Sequence, residues 1–144
     1  MKLTELVNSE PQILEALAEL RQYLGPDKVP DLERVWRRLG RDNIHRYFGE
    51  NQPQVFDYLR SSASSRRQLL RGADPDERLL FLARVHYDCR QALLFVQRMH
   101  WVLRVRPDLS ELIARSADTV RALPQLVPLN PWPFEDHPDP FGGD

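Results

Sequence analysis

The chain has 144 residues, 42% of them apolar, and a formal net charge of −1 at neutral pH, which suits one compact domain. Cys89 is the single cysteine, so an intrachain disulfide is excluded, and no apolar run approaches the ~20 residues that cross a bilayer. Residues 1–10 carry acids and polar groups where a signal peptide needs an apolar run, so a cytoplasmic protein with no membrane partner is expected.

Taken in order, the chain is punctuated for helices. Ser9-Glu10-Pro11-Gln12 reads as a capping box, a serine oxygen meeting an amide three residues on while glutamine reaches back. Ile13, Leu14, Leu17, Leu20 and Leu24 then recur at helical spacing, and Gly25-Pro26 stops the run. A second helix after Pro30-Asp31 puts Leu32, Val35, Trp36 and Leu39 on one face and Arg34, Arg37 and Arg38 on the other, with Gly40 as its stop. Asp42-Asn43 opens a short helix through Phe48, closed by Gly49. Asn51-Gln52-Pro53-Gln54 repeats the N-cap signature ahead of Val55, Phe56 and Leu59. Ser61 to Ser65 is a linker or helix start that leads into Arg66, Arg67, Leu69, Leu70, Arg71 and Gly72.

Asp74-Pro75-Asp76-Glu77 is the clearest start signal, with an Asp N-cap, proline at the first helical position and glutamate at the capping-box position. No breaker follows until Pro107, which predicts a helix of about thirty residues, ~45 Å long. Leu79, Leu82, His86, Cys89, Leu93, Val96, His100 and Leu103 alternate in steps of three and four, beside a second stripe of Leu80, Tyr87, Leu94 and Trp101. So wide an apolar face belongs at the centre of a bundle or at an oligomer interface. A last helix is expected from near Asp108, carrying Leu109, Leu112, Ile113, Val120 and Leu123 and ending at Pro124. No segment alternates with period two. The expected fold is all-α: a single-domain bundle of five or six helices over residues 1–123, with one long central helix and a Pro-rich extended C-terminal tail over 124–144.

Candidate chemistry is sparse. His86 and Cys89 share one helix face a turn apart, but a structural zinc site needs four ligands and the other histidines are scattered. There is no nucleophile elbow, no phosphate-binding glycine loop and no His-Glu-x-x-His pair. A mid-helix apolar setting raises the pKa of a thiol such as Cys89 rather than activating it. No catalytic residue, metal or cofactor is therefore assigned, and an enzyme would need a cleft gathering His45 or His86 with a carboxylate.

Charge is sorted along the chain. Residues 34–106 hold fifteen arginines and seven acids, whereas residues 1–33 and 107–144 hold seven acids each against three and two bases. Arg37, Arg38, Arg41, Arg46, Arg60, Arg66, Arg67 and Arg71 fall in a stretch whose acids are Asp42, Glu50 and Asp57. On one face they would neutralise a handful of phosphates without reading sequence, which makes them the candidate nucleic-acid or anion-binding residues. Within this stretch Leu32 to Ile44 is similar to a helix-turn-helix, an apolar helix, a turn glycine and a short second helix with Arg46. It departs from that pattern in placing Trp36 where a small residue is expected and Arg46 where a buried apolar one is expected.

The tail from Pro124 holds six of the chain's twelve prolines, and its Trp132, Phe134 and Phe141 stand among Glu135, Asp136 and Asp139. Proline removes amide donors and favours an extended backbone, so the tail presents preordered aromatic anchors flanked by acids, the makings of a docking peptide. Its Pro138-Asp139-Pro140-Phe141 run resembles the acidic, Pro-Phe-terminated tail of bacterial single-stranded DNA-binding proteins, although Gly142-Gly143-Asp144 follow the phenylalanine. The tail docks either on a partner or over its own bundle, where it would cover the arginines. Together these features predict a small cytoplasmic, non-enzymatic helical adaptor or accessory protein with a protein partner or a second copy. The alternative is a nucleic-acid-associated helical subunit or regulator that uses the arginine surface, with the acidic tail modulating access.

Overall fold

The computed structural model describes residues 7–49, 61, 64–65, 74–111 and 129–142. Among them the structure is helical, with no strand: α1 spans Glu10–Tyr23, a 3₁₀ turn Pro26–Lys28, α2 Val29–Leu39, α3 Arg41–Gly49 and the long α4 Pro75–Val105. The helices expected from Asn51 to Leu59 and from Arg66 to Gly72 lie outside the described residues, as does the last helix beyond Glu111.

Each start and stop has a local cause. Asp74 caps α4 with an extended backbone, its carboxylate accepting the Asp76 N–H at 3.1 Å, and Pro75 occupies the first turn, where no amide partner is needed. Gly40 ends α2 at φ 85° and ψ 157°, a conformation essentially reserved for glycine, and so turns the chain sharply into α3. The capping box expected at Ser9 does not form. That residue sits at φ −97° and ψ 10° rather than in the extended geometry of a cap, and its side chain makes no cap hydrogen bond.

Burial follows the helical period closely. On α1, Ile13, Ala16, Leu17 and Leu20 are buried, while Leu14, about 100° around the axis from Ile13, is exposed. On α2, Leu32, Val35 and Trp36 are buried with the arginines outward, and Ile44 and Phe48 bury from α3. Every residue of α4 from Leu82 to Cys89 is buried, so the middle of this helix passes through the core, and its end emerges at Trp101 and Val105. Each large apolar side chain removed from water in this way contributes about 1.5–3 kcal/mol.

Trp36 anchors the centre. Its ring meets Phe48 at 5.7 Å and Trp132 at 5.4 Å edge-on, and Phe48 in turn meets Tyr87 at 5.2 Å, which ties α2, α3, α4 and the C-terminal segment together. One charged pair shares this core. Arg84 Nε donates to Asp88 Oδ2 at 3.0 Å, another of its nitrogens donates to the carbonyl of Tyr47, and its guanidinium lies over the Tyr47 and Phe48 rings. Both residues are buried, so the pair is a desolvated clamp between α3 and α4 rather than a surface bridge.

Candidate interaction surfaces

The arginine face is built by α2 and the start of α3, and the chain's own acids occupy much of it. Arg34 and Arg38 reach across to the same carboxylate of Asp76, at 2.7 and 2.9 Å, linking α2 to the first turn of α4. The pair with Asp76 raises the Arg34 pKa. Arg37 bridges to Glu33 at 2.7 Å along its own helix, and Arg46 donates to the side chain of Asn43. Arg41 donates to the carbonyl of Phe141 at 2.8 Å and stands over its ring at 5.6 Å. Arg37, Arg38, Arg41 and Arg46 thus lie on neighbouring exposed turns; Arg60, Arg66, Arg67 and Arg71 lie outside the described residues.

The tail segment from Leu129 to Gly142 sits against this end of the molecule. Trp132 and Phe134, expected as docking anchors, are buried in the chain's own core, and Phe141 is half-buried. Asn130 shapes the turn into the segment: its carbonyl accepts from Arg90 at 2.8 Å and its side-chain oxygen accepts the Trp132 N–H at 3.0 Å. The indole N–H of Trp132 donates to the carbonyl of His137 at 3.2 Å, so its one polar atom is satisfied inside the core. Asp139 closes the segment, accepting from Asn130 and from the Phe141 N–H.

A third surface lies at the emergent end of α4. Trp101 is 61% exposed and Val105, one turn on, 56%. Exposed Arg98 and Arg104 flank them. His100 contacts Glu10 of α1 at 3.4 Å, and exposed Leu14 stands one turn along α1 from Glu10. Glu10, Gln97, His100, Trp101 and Arg104 line an open cleft of about 560 Å³.

Inside the molecule, burial pushes the Cys89 thiol up to about 12, with Asp88 adding to the effect, which favours the protonated thiol at neutral pH. Burial, then the charges of Arg90 and Arg21, lower the pKa of His86 to about 4. Its Nδ1 is shut from solvent and has no hydrogen-bond partner. His45 is exposed on α3. Among the described residues no three His, Cys, Asp or Glu side chains converge as metal ligands. No helix there is long and apolar enough to cross a membrane.

Sequence reasoning missed Arg84, Asp88 and Arg90. The signal for the first two was available: an arginine and an aspartate four residues apart, set within the apolar middle of a helix. Nothing in the sequence marks Arg90, whose partner Asn130 is forty residues away. Compared with known proteins, the chain matches no family model, no curated protein and no solved structure.

Proposed function

We propose that the protein is a small cytoplasmic, non-enzymatic helical adaptor that works through protein–protein contacts, its bundle closed by a self-docked C-terminal segment. The observation that carries this reading is the exposure of Trp101 and Val105 on one face of α4. A tryptophan at that exposure, beside a second large apolar side chain and an open cleft, is the composition of an interface centre rather than of ordinary surface. Arg98 and Arg104 rim the face, so the partner that fits is an apolar helix face or loop bordered by acidic residues. The arginines of α2 and α3 meanwhile satisfy Asp76, Glu33, Asn43 and Phe141 of the same chain, which lowers the charge they offer to an outside anion. In a pull-down at physiological salt, wild type is expected to retain a stoichiometric partner that Trp101→Glu/Val105→Glu loses; equal retention by both would remove this face from the reading.

A second reading, a nucleic-acid-associated regulator, rests on one contact. Arg41, at the end of the arginine face, donates to the Phe141 carbonyl and stands over its ring, so tail release would break both of those contacts. Exposed pairs such as Arg37–Glu33 contribute only about 0–1 kcal/mol and exchange readily for phosphates. Fluorescence anisotropy with duplex and single-stranded probes across salt, for the full chain and a chain ending at Leu123, separates the readings. Steeply salt-dependent binding that strengthens on truncation favours the regulator; no binding at low salt by either chain removes it.

A further inference from the structure

A cleft of about 530 Å³ opens where the tail segment meets α1 and α4, within the size range of small-molecule sites. Three kinds of wall meet in it. Leu17 of α1, Leu24 at its C-cap, Leu93 of α4 and Phe134 of the tail supply apolar surface. His86 and Arg90 of α4 form a largely buried, electropositive floor, with exposed Arg21 above them. Exposed Glu135 and Asp136 bring two carboxylates to the rim.

The floor is only partly satisfied from within, since Arg90 donates to the Asn130 carbonyl through one of its terminal nitrogens. His86 is 7% exposed, and its Nδ1 and the Nε of Arg90 are both buried without a hydrogen-bond partner. Buried polar groups are normally paired, and these two belong to residues one turn apart on α4 that both line the cleft. Burial first, and then the charges of Arg90 and Arg21, hold the His86 pKa low, so the two arginines lie within electrostatic reach of the imidazole. Burial lowers the Arg90 pKa, and Glu135 partly offsets that, which places the rim carboxylate within electrostatic reach of the floor guanidinium. A simple anion would meet Glu135 and Asp136 as like charges. A molecule with a carboxylate at one end and an ammonium beside it meets neither conflict.

We propose that this cleft binds a small zwitterion of the amino-acid type with an apolar side chain. Its carboxylate sits toward Arg90, Arg21 and His86, its ammonium toward Glu135 and Asp136, and its side chain against Leu17, Leu24, Leu93 and Phe134. Because the tail supplies one wall, an occupied cleft holds the tail docked; the site itself does not depend on the adaptor reading.

The test is an NMR titration of the full-length protein, observing the histidine ring carbons, with L-phenylalanine, L-leucine, hexanoate and hexylamine as probes. The two amino acids are expected to give saturable shifts at His86 and His137, with hexanoate and hexylamine at least about tenfold weaker for want of one charge pair. The exposed substitution Glu135→Gln is expected to weaken the amino acids severalfold while leaving hexanoate unweakened, and Arg21→Gln to weaken both. A thermal melt of each variant checks that the fold is kept. No shift with any probe overturns the site. Hexanoate binding as tightly as phenylalanine, or Glu135→Gln leaving phenylalanine unchanged, overturns the zwitterion assignment.

Discussion

At the scale of single residues, the core tolerates charge only where charge is answered. Arg84 is held by Asp88 and the Tyr47 carbonyl, and two aromatic rings cover it, so removing one partner strands a buried charge. Arg84→Met is expected to lower the unfolding free energy by about 3–5 kcal/mol, and adding Asp88→Leu to restore most of it, as read by urea denaturation at neutral pH. A double variant as unstable as the single one would show that the guanidinium acts through packing alone. The pH dependence at this level has two opposed parts. His86, with a folded pKa of about 4 against an ordinary value of 6.5, resists protonation in the native state, so its contribution is complete above pH 6.5 and is lost as pH falls toward 4. Asp88 is raised by burial from 3.8 to about 6 although Arg84 pulls the other way, so its contribution is complete below 3.8 and is lost as pH rises through 6. The two slopes oppose each other between pH 4 and 6. His86→Gln removes the first of them, so its stability relative to wild type is expected to fall as pH rises from 4 to 6. An unchanged difference between variant and wild type over that range would contradict the burial assigned to His86.

At the scale of elements, punctuation was readable wherever a single residue type has a single physical use. Gly40 was placed as a helix stop from sequence, and its φ of 85° with ψ near 157° explains why no other residue serves. Gly40→Ala is expected to cost about 1–3 kcal/mol in thermal or urea unfolding, whereas Gly49→Ala, with open space around its Cβ and no positive φ, is expected to be neutral or slightly stabilising. Equal effects at the two positions would refute the conformational argument. Asp74-Pro75 was equally legible, and α4 begins there and runs the length expected. What sequence could not supply was anything decided by tertiary geometry. Ser9 has the composition of a cap but not the backbone, because the chain is already turning at residues 7–9 before α1 begins. Leu14 fits a count of apolar residues but falls outside the arc that faces α4. His86 was assigned to the seam, and Arg90 follows one turn on along the same helix, yet the cleft the two line is completed by a tail segment more than forty residues on.

At the scale of the whole molecule, several arginines of the basic middle find partners within the chain. The acidic N-terminal turn of α4 receives Arg34 and Arg38, and the C-terminal segment receives Arg41 and Arg90 through its carbonyls. Several arginines of the basic middle are thus held by an acid of that same stretch and by tail carbonyls, while among the described residues the large exposed apolar side chains are Leu14, Trp101 and Val105. That contrast, an internally answered arginine face against an unanswered apolar one, was invisible in composition because it depends on which arginines find acids. It is also where the functional reading is most exposed to refutation. A photoreactive benzophenone amino acid placed at position 101, and in a parallel sample at position 38, reports which face meets other molecules in living cells. Discrete adducts with one protein at position 101, and none at position 38, are the expected result. Nucleic-acid adducts at position 38 with none at position 101 would contradict the adaptor reading and put the arginine face in its place.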